Sequence, residues 1–251
     1  MNLKDKVILI SGAKQGMGLA IAKKLKSQGA KLALNDRVLD DQLIKVCQEL
    51  DALAVPGDLS DLDNINKVVE TCVKEFKTID GVVAQHAYMS MGKFEEHDVS
   101  EWWKVVNTNL LGSYVLIREA LPYLKKSKGK IVVTSSYWGI TGWPEASAYA
   151  SSKSGLIALV KSLARELAPL GINVNGIAPG VINTPQLLVD AENLNMNIED
   201  VLKLYAENIP LGRVGTAEEI AEVVTFLLDP EQNAMVGQII NATGGEIRGR
   251  A

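Results

Sequence analysis

Seven short apolar runs alternate with longer stretches of helical periodicity along almost the whole chain, and no other feature constrains the fold as tightly. The runs fall at residues 7–10, 31–34, 53–55, 81–84, 130–134, 172–177 and 238–241. Between them, at 16–28, 39–50, 61–76, 100–124, 147–167 and 218–228, apolar residues recur at helical spacing, as Leu19, Ile21, Ala22 and Leu25 do in the first stretch. Strands that read as unbroken apolar runs are covered on both faces, which is the condition of a parallel sheet. Strands alternating with helices of this length build successive βαβ crossovers. The expected fold is therefore α/β: one doubly wound domain over residues 1–251, with a seven-stranded parallel sheet and helices on both faces. Asp61 and Ser100 stand where helix N-caps are expected.

One stretch breaks the alternation. Residues 180–215 carry Pro185, Pro210, an asparagine-rich run (Asn193, Asn195, Asn197) and a single expected short helix at 198–207. An excursion this long inside a compact domain commonly forms a lid or binding element, and a substrate lid is expected within 183–212.

The charge balance narrows the function classes. The 251 residues carry 26 basic and 30 acidic side chains, a net charge of −4, which disfavours nucleic-acid binding through phosphate neutralisation. No apolar run approaches the roughly 18–20 residues that span a bilayer, and no apolar region of signal-peptide length follows the N-terminus. A cytoplasmic protein with no membrane partner is expected. Cys47, Cys72, His86 and His97 are too scattered for a zinc site, so no metal is expected. The cysteines fall in helical patterns and read as buried apolar residues. His86 reads as structural and His97 as a solvated surface residue.

The first apolar run ends in Ser11-Gly12-Ala13-Lys14-Gln15-Gly16-Met17-Gly18, where glycines spaced G-x-x-x-G-x-G open a helix. Glycines at a strand-to-helix turn let the backbone approach a phosphate, whose charge then rests on the helix N-terminus. Such turns also occur without a ligand, and no Gly-Lys-Ser/Thr follows that would make a P-loop. The second run leads into Asn35-Asp36-Arg37. A carboxylate there binds the ribose hydroxyls of an adenosine and repels a 2′-phosphate, so Asp36 favours NAD over NADP. Arg37 and Lys14 argue the other way, because either can pair with that phosphate. The third run leads to Gly57-Asp58-Leu59, where Asp58 either meets the adenine edge or is simply a turn residue.

Ser136, Tyr149 thirteen residues later and Lys153 four after that form an ordered set. They sit in Ile131-Val132-Val133-Thr134-Ser135-Ser136 and Ala148-Tyr149-Ala150-Ser151-Ser152-Lys153, flanked by Val106-Asn107-Thr108-Asn109-Leu110 and Asn175-Gly176-Ile177-Ala178-Pro179-Gly180. A Y-x-x-x-K pair alone is common by chance; with the glycine turn, these motifs in this order resemble the short-chain dehydrogenase/reductase family over essentially the whole chain. The resemblance implies a Rossmann-like domain, a nicotinamide cofactor and hydride transfer to or from a secondary alcohol or ketone without a metal. It places Gly12, Gln15, Gly16, Met17, Gly18, Asp36, Arg37, Asp58, Leu59, Ala87, Pro179 and Gly180 at the cofactor, with the Ile182 backbone and the Thr184 hydroxyl facing its carboxamide. It gives Asn109 a water chain leading to Lys153, and Lys153 a bond to the nicotinamide ribose.

The residues carry the chemistry in their own right. Positions i and i+4 share a helix face, so Tyr149 and Lys153 project together. A cation beside a phenol of ordinary pKa ~10 favours the phenolate, so Lys153 is expected to lower Tyr149 and make it the acid/base. Ser136, at a strand end, is placed to hydrogen-bond the substrate oxygen.

Gln85-His86-Ala87-Tyr88 replaces the family's usual Asn-Asn-Ala-Gly, and only Ala87 is kept. Tyr88 either narrows the substrate pocket or turns outward to pack. Trp138 and Trp143, between Ser136 and Tyr149, either wall the substrate cleft together with Gln186, Met89 and Met91 or pack against another subunit; Trp102 and Trp103 read as helix-packing residues. Aromatic walls with few charges suggest an uncharged polyol, sugar or ketone. The alternatives are an NADPH-dependent 3-oxoacyl-thioester reductase and a catalytically silent dinucleotide sensor. The resemblance further implies a homotetramer that pairs helices 100–124 and 147–167, with the segment 244–251 within reach of a neighbour.

Overall fold

The computed structural model describes residues 3–247. Seven strands form the main sheet: β1 (Val7–Ser11), β2 (Lys31–Asn35), β3 (Leu53–Ala54), β4 (Gly81–Ala84), β5 (Lys130–Thr134), β6 (Asn173–Pro179) and, last in the chain, β9 (Ile239–Ala242). They lie in the order β3-β2-β1-β4-β5-β6-β9, and every pair is parallel. The order reverses between β1 and β4, which leaves a crevice at the carboxyl ends of the strands.

Alternate residues of each strand feed two cores. Val7 and Leu9 of β1 pack beneath α3 (Leu62–Phe76), α5 (Gly112–Ser127) and α7 (Ser147–Leu167). Ile8 and Ile10 pack on the other face, with α1 (Gly16–Ser27), α2 (Asp41–Leu50) and α10 (Ala217–Leu228). A one-residue slip in β1 would exchange these two sets, so the double burial fixes the register. The doubly covered parallel sheet expected from the apolar runs is thus observed.

Three local readings change. The stretch 100–124 is not one helix. Here α4 (Val99–Val106) runs through a π-helical segment, Asn107–Leu111, into α5. The cap of α4 is Asp98, which accepts from the Ser100 and Glu101 amides, so Ser100 lies inside the helix. Asp61 caps α3 as expected. The excursion after β6 holds two helices, α8 (Gln186–Leu194) and α9 (Ile198–Ala206). Two of its asparagines are helix ends: Asn195 ends α8 in the left-handed conformation and Asn197 caps α9 through the Asp200 amide. The excursion leaves and returns through a two-stranded parallel ladder, β7 (Ile182–Asn183) with β8 (Gly215–Thr216). One further helix, α6 (Trp138–Thr141), follows β5.

Among the described residues no helix is long and apolar enough to cross a membrane. Of the C-terminal segment 244–251, residues 248–251 lie outside the described residues.

Candidate active site

The turn after β1 is shaped by what a side chain would collide with. Gly12 has φ +65°, and a Cβ there would meet the His86 backbone at 2.9 Å. A Cβ on Gly18 would stand 2.0 Å from the Gly12 carbonyl oxygen, so the first turn of α1 can close on the loop only with glycine. Gln15, the N-cap of α1, makes no side-chain cap bond, and the first turn holds no acid. The amides of that turn are therefore presented with nothing of the helix's own neutralising them, which suits an anion.

This turn opens onto a cleft of about 480 Å³. Gly12, Gln15, Gly16, Met17 and Gly18 form one wall, and Asp36, Arg37, Asp58 and Leu59 close one end. Ala87, Tyr88, Thr184 and Gln186 line it further along. Pro179 at the end of β6, Gly180 after it and Ile182 in β7 are not among the residues that line this cleft. Gly180 donates its amide to Ala242, and the Ile182 side chain is buried in the core. The residues present fit a nicotinamide dinucleotide in size, glycine placement and the position of an acid after β2.

Backbone amides of Lys14 and Arg37 donate to the Asp36 carboxylate at 3.3 and 2.9 Å. The Lys14 ammonium is drawn away to Asp40 at 2.6 Å, remaining 3.7 Å from Asp36. That hydrogen bond to Asp40 raises the pKa of Lys14 and lowers that of Asp40. Arg37, exposed at the rim, keeps its charge available. Asp58 lines the cleft and accepts, through one carboxylate oxygen, from the amide and hydroxyl of Ser60 at 2.9 and 2.7 Å. Asn35, which the sequence reading passed over, donates to the Val55 and Gly57 carbonyls and ties the end of β2 to the segment that follows β3.

Gln85 and His86 knit the central strands with longer side chains. Gln85 accepts from the Thr134 hydroxyl at 2.6 Å. His86 Nε2 faces the Thr108 carbonyl at 3.0 Å, which only accepts, so Nε2 carries the proton and Nδ1 accepts from the Ser11 hydroxyl at 2.7 Å. Burial, and next the charge of Lys153, push the His86 pKa down to about 4. His97 departs from the surface reading: it is half-buried, with Nε2 3.1 Å from the Ser90 hydroxyl.

Tyr88 points its phenol to α4, donating to Glu101 at 2.6 Å, with the Lys104 ammonium 4.4 Å from the ring centroid. Its backbone is clamped by Asn109, whose Oδ1 accepts from the Tyr88 amide at 2.7 Å and whose Nδ2 donates to its carbonyl at 2.9 Å. The same amide donates to Ser152, next to Lys153, at 3.0 Å. Asn109 is fully buried in the π-helical segment, a geometry that recurs at functional sites.

Ser136, Tyr149 and Lys153 converge where β5 meets α7. The Ser135 hydroxyl donates to the Lys153 carbonyl at 2.7 Å and fixes the helix on the strand end. A Cβ on Gly139 would lie 2.7 Å from the Lys153 carbonyl carbon, so the α6 loop sits directly on α7. Lys153, 1% exposed, donates to the Thr134 carbonyl at 2.9 Å and lies 5.4 Å from the Tyr149 ring centroid. Burial pushes the Tyr149 phenol up to about 12; its hydrogen-bonding interaction with Ser136 pulls it back in part. Burial pushes Lys153 down to about 7. The expected lowering of Tyr149 by Lys153 is not seen: burial raises the phenol, and Ser136 is the group that lowers it.

Trp138 meets the Tyr149 ring edge-on at 5.8 Å and stacks on Trp143 at 5.2 Å. Gln186 donates to Asp190 at 3.2 Å along α8. Trp102 donates its indole N–H to Ser147, whereas Trp103 is over half exposed. Tyr137, Tyr205 and Glu246 adjoin the same region and were missed, because no local motif marks them.

Known proteins share this arrangement. The family model described as Enoyl-(Acyl carrier protein) reductase matches residues 12–246. The chain is 35% identical to the 3-oxoacyl-[acyl-carrier-protein] reductase of Thermotoga maritima, over 98% of this chain and 99% of that one. L-sorbose reductase from Gluconobacter frateurii, solved with NADPH and L-sorbose, superposes with a TM-score of 0.95 at 26% identity, covering 100% and 99% of the two chains. The aldohexose dehydrogenase of Thermoplasma acidophilum gives a TM-score of 0.90 at 30% identity, covering 97% and 94%.

Proposed function

The chain belongs to the short-chain dehydrogenase/reductase family, and from that premise we propose that it is a cytoplasmic, NAD-preferring oxidoreductase of uncharged, hydroxyl-bearing secondary alcohols and ketones. The family assigns an oxidoreductase acting on the alcohol/ketone couple. The observation that carries the reading is the convergence of Ser136, Tyr149 and Lys153 beside the glycine-walled cleft. The intact set also weighs against a silent dinucleotide sensor.

A bound nicotinamide supplies or accepts the hydride. The Tyr149 hydroxyl holds the proton that the substrate oxygen gains in reduction or loses in oxidation. With a phenol near 12, Tyr149 carries that proton at neutral pH and acts as the acid for ketone reduction. Ser136 offers a second hydrogen bond to the same oxygen. Lys153, anchored on Thr134, is the residue we read as binding the nicotinamide ribose. Asn109 supports the reaction by fixing the Tyr88 backbone and Ser152.

The preference for NAD is supported by Asp36, held by two amides, and by the engagement of Lys14 with Asp40. Arg37 and the NADPH bound by the sorbose reductase support the opposite choice. The indole pair beside Tyr149 suits a sugar or cyclic substrate, and two structural relatives act on sugars. We read α8 and α9 as the substrate lid of a single domain. An apolar groove of Trp103, Leu110, Leu111, Tyr114 and Ala158 along α4, α5 and α7 supports a homotetramer, to be checked by sedimentation.

A second reading, reduction of a 3-oxoacyl thioester, is supported by the Thermotoga maritima relative. NADH and NADPH oxidation with a panel of uncharged cyclic and polyhydroxy ketones and with acetoacetyl-coenzyme A separates them. Faster turnover of the uncharged ketones with NADH is expected. Efficient thioester turnover with NADPH, and none of the ketones, establishes the second reading instead.

A further inference from the structure

Within the π-helical segment the backbone ladder skips one residue. In an α-helix the Gly112 amide would donate to the carbonyl of Thr108, four residues back. Here it donates one residue further back, to Asn107. The carbonyl it passes over takes a proton from another part of the chain: His86 Nε2 stands 3.0 Å from the Thr108 oxygen. Gly112 makes room for that ring. A Cβ there would lie 3.1 Å from Nε2 and 2.5 Å from the Leu59 carbonyl oxygen. A polar side chain entering the ladder is one of the few causes of a distorted helix.

His86 is anchored from behind. Its Nδ1 accepts from the Ser11 hydroxyl at 2.7 Å, and that hydroxyl oxygen accepts from the Gln85 amide at 3.0 Å. The His86 Cα lies 2.9 Å from the point a Cβ on Gly12 would occupy. The ring lines the cleft and spans from the end of β1 to the turn that carries Asn109. With a carbonyl acceptor at one nitrogen and a hydroxyl donor at the other, a single neutral tautomer serves both. From the widened turn Asn109 reaches two places at once. Both ends of its amide clamp the Tyr88 backbone, and its Nδ2 also donates to Ser152, the neighbour of Lys153.

We propose that His86 is a positioning residue: its Nε2 proton holds the π-helical turn open at Thr108, and that turn aims the Asn109 amide at the Tyr88 backbone and at Ser152. One imidazole thus joins the glycine turn to the helix that carries Tyr149 and Lys153. Its effect on rate rests on the reading of the site as an alcohol/ketone oxidoreductase; the link itself does not.

The test compares His86→Asn, whose amide stops short of Thr108, with His86→Gln, whose amide nitrogen reaches about as far as Nε2. Reduction of a cyclic ketone gives kcat, and fluorescence titration with NADH gives nucleotide affinity. Hydrogen exchange of the Asn109 side-chain amide, followed by NMR, reports the clamp without any turnover. In His86→Asn we expect kcat to fall roughly tenfold with NADH affinity close to wild type. Asn109 exchange should quicken roughly tenfold in the same variant. His86→Gln returns both toward wild type. Should either variant fail to fold, nitrogen NMR of the histidine-labelled wild type decides, and must show His86 neutral and protonated at Nε2 alone. The Nδ1-protonated tautomer or a mixture of the two overturns the proposal. So does unchanged kcat and exchange in His86→Asn, an equal loss of kcat and NADH affinity there, or no recovery in His86→Gln. Quickened Asn109 exchange in His86→Asn, with no ketone turned over by the wild type, keeps the positioning role and overturns the oxidoreductase reading instead.

Discussion

At the nucleotide end of the cleft the protein presents backbone, and at the substrate end it presents side chains gathered from distant parts of the chain. The first is made by one contiguous β1–turn–α1–β2 unit, whose glycines are demanded by contacts as short as the 2.0 Å approach to the Gly12 carbonyl. The second takes Tyr137 and Trp138 from β5 and α6, Tyr149 from α7, Tyr205 from α9 and Glu246 from beyond β9. On the proposed reading the backbone cradle takes the nucleotide, and a change there is expected to break binding outright. A side-chain collection can be altered residue by residue, and the proposed function places specificity there.

The sharpest way to break this division is at the point where the ends meet. Tyr149→Phe removes the proton carrier and no nucleotide contact made by the glycine turn. We expect kcat to fall about 10³-fold while NADH affinity, read by fluorescence titration, stays close to wild type. Loss of both together would mean that the two ends are not separable.

Gly18→Ala attacks the cradle alone. The added methyl must displace the Gly12 backbone, an overpacking expected to weaken nucleotide binding roughly 30-fold and lower the melting temperature. Calorimetry with NAD and a thermal melt check both; unchanged affinity would show that the cradle does not hold the pyrophosphate.

Asp36→Ala sharpens the adenosine end. It removes the carboxylate that repels a 2′-phosphate and releases Lys14 from one of its two acids. The NADP-to-NAD ratio of kcat/KM should rise roughly tenfold. No change would place cofactor choice on Arg37.

The smallest effect concerns the joint between the strands. His86 stays neutral in the folded protein down to about pH 4, whereas in the unfolded chain it takes a proton near the ordinary histidine value of 6.5. Between these values the unfolded chain binds more protons, so stability present above about pH 6.5 is lost as pH falls toward 4. In His86→Asn that loss is absent. The fall in melting temperature between pH 7 and pH 4.5 should then be smaller than in wild type by a few degrees. Equal falls would take His86 out of the acid response.

How much of this was readable in the sequence follows the same division. Strands, the glycine turn and the Ser136–Tyr149–Lys153 set are local patterns, and each reappears where periodicity and spacing placed it. The π-helical segment at Asn109 was hidden, because a wider turn leaves the apolar periodicity nearly intact. The asparagines at 195 and 197 stood in a stretch with a single expected helix, yet they end α8 and begin α9. Lys153 was expected to depress Tyr149 from spacing alone. Spacing does not report burial depth, and burial dominates both groups. Glu246 carried no signal, because its meaning arises only when β9 brings it beside Tyr137.

Direct hydride transfer between a nicotinamide and a carbinol carbon is the central claim. It is tested by reducing a cyclic ketone with NADH deuterated at the transferring carbon of the nicotinamide ring and recording the NMR spectrum of the alcohol formed. The account predicts one deuterium on the carbinol carbon, with the hydroxyl proton drawn from solvent. Alcohol carrying only protium at that carbon, or no alcohol from any ketone or thioester tried, would contradict it.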